Sequence, residues 1–312
     1  MKSRRPKGEA DDTNRAMWQF LSDKNWDGIQ QRLAKGEWNP NRPLVFALQP
    51  GGLLLLSAAV EHEQTAVARQ LIELGADVNA RMPGEIQPLM QACDTGNQEM
   101  VSLLLEAGAD VNGKCPISDE GDPGETPLMA AAMSGHRDTV ETLLKRGARI
   151  DATTRRGRSA LSMVLDAGSV GLDMVRFLLD GGCPVDGRDL HHPILQRNLE
   201  IVKLLLARKP DVNKPFDWPT YLGSPQKGDT PLFVAVRQNP DEIPEGAVLK
   251  RAERLAIIDL LIEAGADVNA RRGSKASTWS PLMMAVAQDD KEIVRRLIAA
   301  GAEPTNEVTT TR

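Results

Sequence analysis

Four histidines and three cysteines are the main ligating and nucleophilic side chains among these 312 residues. The densest grouping is Asp189, His191 and His192, all of which can bind a divalent metal. Their spacing matches no recognised ligand pattern, and no cysteine cluster completes it. A metal-dependent enzyme built there is the last of three readings. Cys93, Cys115 and Cys183 are scattered and odd in number, which suits core packing in a reducing compartment better than a disulfide framework. No Gly-x-x-x-x-Gly-Lys-Ser/Thr phosphate loop occurs, and Gly181 and Gly182 fall where a helix end needs them. The chain is therefore read as a non-enzyme, with no catalytic residue, no cofactor and no metal.

Composition narrows the partner class. A formal charge of −5 without a basic stripe argues against nucleic acid. The longest apolar run, residues 53–60, is far too short to span a bilayer, so no membrane association is expected. The basic start, residues 2–7, is followed by Gly-Glu-Ala-Asp-Asp and no apolar stretch, so no secretory signal is read and a cytoplasmic location is expected. Aromatics make up 4% of the chain, which fits thin helical layers better than one thick core.

The elements that would position any site repeat along the chain. Residues 126–151 read TPLMAAAMSGHRDTVETLLKRGARID, residues 87–112 read QPLMQACDTGNQEMVSLLLEAGADVN, and residues 280–304 read SPLMMAVAQDDKEIVRRLIAAGAEP. In each, Pro-Leu opens a frame that a glycine closes. Proline suits the first turn of a helix, and Thr126 before it is a good N-cap. Leu128, Ala131 and Ala132 share one face, kept thin by the alanines, so a second helix carrying Val140, Leu143 and Leu144 can lie against it. Gly135 ends the first helix, and Gly147 supplies a left-handed corner after the second. Two short helices cannot bury both apolar faces alone, so each pair needs a neighbour.

These residues resemble the ankyrin repeat, T-P-L-H-x-A-A followed by V-x-x-L-L and G-A-D-V-N-A, and Gly75 to Gly108 spans its 33-residue period. The resemblance implies an all-α ankyrin-repeat solenoid of about seven helix-pair units, with projecting hairpin-like loops and an N-terminal capping helix pair. Residues 1–12 are expected to be a disordered tail and 13–50 the capping pair, with Trp18, Phe20, Leu21, Trp26, Ile29, Leu33 and Trp38 as its apolar positions. Repeats follow at about 53–80, 87–112, 126–151, 159–186, 188–213, 230–269 and 280–304 within a solenoid over 51–304, then a disordered tail over 305–312. The fifth departs most, because Pro193 falls inside its first helix. In the sixth, residues 247–255 are expected to extend the second helix backwards. The fourth position of the family motif is Met90, Met129, Ser162, Phe233 and Met283 in the clear repeats, where the family has a histidine that ties neighbouring loops together. His136 stands in the Gly-His turn of the family, where its role is structural.

The family binds partners with its loops and the first helix of each unit, on the concave side. Transferred to this chain, the candidate partner-binding residues are Arg81, Met82, Asp94, Thr95, Met133, Ser134, Arg155, Arg156, Arg158, Arg237, Gln238, Arg271, Arg272 and Lys275. Phe216, Trp218 and Tyr221 of the 214–229 loop and Trp279 of the next either fold back on the stack, over the fifth repeat, or meet a partner, and they join the candidates because aromatics with arginine are enriched at binding hot spots. An acidic loop, 114–125, precedes the basic one carrying Arg155, Arg156 and Arg158, and the two can pair. The expected function is a protein-binding adaptor, inhibitor or, as in bacterial members, neutralising partner, monomeric when free. Self-association through the aromatic loop is the second reading.

Overall fold

A computed structural model describes residues 9–46, 49–81, 86–116, 123–168, 171–216, 228–237, 247–274 and 277–304. The described chain is built from antiparallel helix pairs and falls into two compact units, Met1–Met163 and Val164–Arg312. The boundary lies inside one helix, Ala160–Ala167.

The first unit holds α1 (Glu9–Ser22) with α2 (Trp26–Ala34), α3 (Leu55–Glu61) with α4 (Thr65–Glu73), α5 (Pro88–Thr95) with α6 (Gln98–Glu106), and α7 (Pro127–Met133) with α8 (Arg137–Lys145). It ends in the first part of α9 (Ala160–Ala167). A short antiparallel pair, β1 (Leu44–Phe46) and β2 (Gln49–Leu53), leads into α3. Proline opens α5 and α7, where the missing N–H costs nothing, and Thr126 caps α7 by accepting from the Met129 amide. Leu128, Met129, Ala131, Ala132, Val140 and Leu143 are all buried, as the helical spacing requires.

Two backbone corners recur. After the first helix, Lys24, Glu63, Gly96 and Gly135 all take positive φ; after the second, Gly36, Gly75, Gly108 and Gly147 do. The pair α1 with α2 therefore shares the turn frame of the repeats, although it lacks their signature residues. Its buried residues are Met17, Leu21, Ile29, Leu33 and Trp38, while Trp18 and Phe20 sit half-buried at the margin. Phe20 packs on Gly28 and lies under the Arg32 guanidinium.

The second unit continues α9 and adds α10 (Leu172–Asp180), α11 (His191–Leu195), α12 (Leu199–Leu206), α13 (Pro231–Val236), α14 (Ala247–Glu263), α15 (Pro281–Ala287) and α16 (Lys291–Ala299). Here Gly168, Arg197 and Asp289 form the first corner, and Gly182, Lys209, Gly265 and Gly301 the second. Alpha14 runs back to Ala247, as the helical composition of 247–255 predicts. Pro193 does not break its helix. A 3-10 turn over Gly187–Leu190 begins the element and α11 follows, so Pro193 sits in a first turn that needs no N–H from it. Gly187 has to be glycine, because a Cβ there would stand 1.9 Å from the Asp211 carbonyl oxygen.

Asparagines stitch successive loops. Asn79 donates to Gly108 O and accepts from the Asp110 amide; Asn112 does the same with Gly147 and Arg149. In the second unit Asn213 joins Gly265 and Asp267, and Asn269 joins Gly301 and Glu303. Asn41, outside any repeat signature, makes the same pair of bonds to Gly75 and Asp77. Where the sequence has Asp151 or Asp186 instead, the carboxylate binds a cation, Arg149 for the first and Arg188 with Lys214 for the second. A carboxylate has no N–H to give a carbonyl.

Candidate functional site

The residues that suggested chemistry are occupied by the scaffold. Asp189 accepts from the Asp186 amide at 2.7 Å in a capping box. His191 is fully buried, with Nδ1 2.9 Å from Arg188 O and Nε2 2.9 Å from Asp229 O. His192 turns to Asp166, with 3.3 Å between Nδ1 and the carboxylate. The three side chains thus serve three different partners, and among the described residues no group of three His, Cys, Asp or Glu comes together as a metal site would need. Burial is the main cause holding His191 below the ordinary histidine range, against the two carbonyls that favour its protonation. Burial also pushes the Cys93 thiol up to about 12, assisted by Asp94, so it is not a nucleophile near neutrality. All three cysteines are buried thiols outside any disulfide.

His191 has a meaning its sequence context concealed. Counting back from the Asn198 cap as from Asn97 in the second repeat, His191 stands where Met90 stands, at the fourth position of the motif. The family histidine is therefore present in the fifth repeat, and its ring ties the 188 turn to the loop carrying Asp229. His136 is likewise structural: its ring fills the space above Gly96, where a Cβ would meet it at 2.4 Å, and Nε2 lies 2.9 Å from Asp94 O.

The partner-face candidates fall into separate groups. In the first unit Asp94 at the end of α5 and Ser134 at the cap of α7 are brought together, the serine hydroxyl donating to the carboxylate at 2.6 Å. Thr95 is exposed beside Asp94, and half-buried Met133 precedes Ser134. Arg81, Arg155 and Arg156 are exposed and Arg158 is half-buried. The 114–125 and 153–158 loops are joined by Arg155 N to Pro123 O at 2.9 Å and Lys114 Nζ to Thr153 O at 3.2 Å. The acidic residues Asp119, Glu120 and Asp122 lie outside the described residues, as do Met82, Trp218, Tyr221, Gln238 and Lys275.

In the second unit Phe216 folds back and Arg272 is already held by a carboxylate. Phe216 is 2% exposed and packs against the His191 and His192 rings, so it does not present itself to a partner. It plugs the loop base: Phe216 N donates to Asp229 O and Gly228 N to Phe216 O, the same two bonds that Cys115 makes with Glu125 and Gly124. Arg272 is not a loose loop cation either. It lies 2.9 Å from Asp229, a carboxylate 1% exposed that also accepts from Arg237 at 3.2 Å. Asp229 was missed in the sequence, although Gly-Asp-Thr-Pro-Leu at 228–232 repeats Gly-Glu-Thr-Pro-Leu at 124–128. Beyond it, β3 (Arg272–Ser274) and β4 (Ser277–Trp279) form a hairpin in which Arg272 and Trp279 are direct cross-strand partners. Trp279 is 40% exposed, and exposed Arg271 places Nη1 3.9 Å from the Met283 sulfur.

A second buried charge, Arg254 on α14, also escaped sequence reading. Its Nε donates to Ala235 O at 2.9 Å and its Nη2 to Val236 O, satisfying the last carbonyls of α13. Asp290, the α16 cap, lies 3.6 Å from it. Burial lowers the Arg254 pKa to about 10, still charged at neutrality, with Asp290 opposing that shift.

Repeated corners, asparagine stitches and paired helices define a class of repeat protein, and comparison gives it a name. The chain belongs to the ankyrin repeat family: residues 55–154 match ankyrin repeats as three copies, and residues 227–272 and 278–309 match single ankyrin repeats. Among curated proteins none matches. Among solved structures, the crystal structure of the human ASB11 ankyrin repeat domain is similar, with a TM-score of 0.52 and 23% identity over 80% of this chain and 99% of that one. At that identity the likeness shows the fold. Ankyrin repeats are generally protein–protein interaction modules and typically not enzymes. No helix among the described residues is long and apolar enough to cross a membrane.

Proposed function

We propose that this chain is a non-enzymatic protein-binding module, acting in the cytoplasm as an adaptor, inhibitor or neutralising partner through the face formed by its loops and first helices. The observation carrying this reading is the division of labour among side chains. Histidines, cysteines and asparagines are spent on the scaffold, whereas Arg81, Asp94, Thr95, Ser134, Arg155, Arg271 and Trp279 stay exposed on loops and first-helix ends. Capture from the native host tests it. A protein retained by the wild type and lost by a combined Asp94→Arg, Ser134→Arg, Trp279→Ala variant with an unchanged melt supports the face; undiminished capture removes it.

Self-association is favoured by the last helix pair and not by the aromatic loop. Val286 and Ile298 in the last helix pair are 44% and 52% exposed, while Ala132 and Val236, the counterparts of Val286, are fully buried. Light scattering across a concentration series separates the readings: we expect a monomer, and a dimer abolished by Val286→Ser with Ile298→Ser would establish the second.

A further inference from the structure

We propose that the β3–β4 hairpin, together with Arg237 and Met283, is a docking surface for an acidic segment of a protein partner that seats an apolar side chain on Trp279. The inference rests on the protein-binding reading above and narrows it to one patch and one partner chemistry.

Register comparison between loops carries it. Three residues after the closing asparagine stand Met82, Cys115, Phe216 and Arg272; immediately before the helix cap stand Ile86, Glu125, Asp229 and Trp279. In the loops after Asn112 and Asn213 the first position is a buried apolar plug, and in the latter the second is a buried acid, whereas Ile86 in the loop after Asn79 is 37% exposed. The last loop differs from all three, with a cation at the plug position, and it shares the exposed apolar side chain before the cap with the first, as the larger Trp279. The cation is held by the preceding loop, through Asp229. Trp279 remains open to solvent.

The charge of the patch follows from the same contacts. Arg237 and Arg272 share the single buried carboxylate of Asp229, and Arg271 lies exposed against Met283. Among the described residues this group sets three guanidinium groups against one carboxylate, within a chain whose formal total is −5. The carboxylate also fixes two of the arginines in place, so little ordering entropy is lost when a ligand arrives. Guanidinium groups bind carboxylates through paired N–H donors, and cross-strand partners share one face of a hairpin, which puts Arg272 beside Trp279. Aromatic and arginine side chains arranged in this way dominate binding energy where they occur.

A random peptide library displayed on phage, selected on the full chain, tests the assignment. Selected peptides are expected to be rich in Asp and Glu with at least one bulky apolar residue. Trp279→Ala and Arg271→Glu should each weaken them about tenfold or more while the melt is unchanged, and replacing their acids by amides should do the same. Selection of peptides without an acidic excess, or of peptides indifferent to both substitutions, overturns the proposal. An empty selection overturns it too, yet leaves the wider face standing if native capture still depends on Asp94 and Ser134. Single-stranded oligo-dT binding with the same Trp279 dependence would reassign the surface to nucleic acid and overturn the peptide claim.

Discussion

His191 shows how far one side chain can be misjudged from its neighbours. Beside Asp189 and His192 it suggests a ligand, but its ring is held between two backbone carbonyls. Replacing it by alanine strands buried polar groups and should cost about 1–3 kcal/mol in urea unfolding at neutral pH. Its pKa is lowered by burial, so the unfolded chain takes up the proton first. The contribution is complete above the ordinary value of about 6.5 and is lost as pH falls below it. The gap between wild type and His191→Ala should therefore narrow between neutral pH and mild acid; a gap that widens would show that the folded ring is the better base. Arg254 makes the opposite point, a charge concealed within a helix of ordinary composition. Arg254→Met leaves Asp290 and two α13 carbonyls without this cation, and should cost about 3–5 kcal/mol in the same assay.

At the scale of the element, Leu104 on α6 is fully buried, and Leu104→Ala should cost about 2–5 kcal/mol. A loss near zero would misplace that helix face. Asn112 makes its two loop-to-loop bonds at the surface, so Asn112→Ala should cost about 1 kcal/mol and speed amide exchange at Arg149 more than within α8. Most of this was legible in the sequence. Pro-Leu openings, helical spacing and closing glycines are local signals, and the structure places Gly75, Gly108, Gly147, Gly265 and Gly301 in one conformation, with φ between 87 and 91°. What was not legible depends on partners distant in the chain. Nothing local to Asp229 tells that Arg272 reaches it, and the choice between folding back and meeting a partner is made for Phe216 only by the His191 ring against it. The Pro193 irregularity was visible, but its resolution as a 3-10 start was not, since that depends on Asp186 and Asp189 capping the turn together.

Over the whole molecule each of the two compact units carries candidate partner residues of its own, Asp94 with Ser134 in the first and Arg271, Arg272 and Trp279 in the second. Ser134, Arg271 and Trp279 are exposed side chains separate from the histidines and asparagines that join the loops, so substitutions at these three should leave the scaffold intact. Hydrogen–deuterium exchange on the chain, free and bound to the protein that co-purifies with it from its native host, tests this most directly. The account predicts new protection at 94–95, 133–134, 271–272 and 279, with the outer helices α8 and α16 unchanged. Protection confined to α8 and α16, with those loop and first-helix positions unaltered, would contradict it.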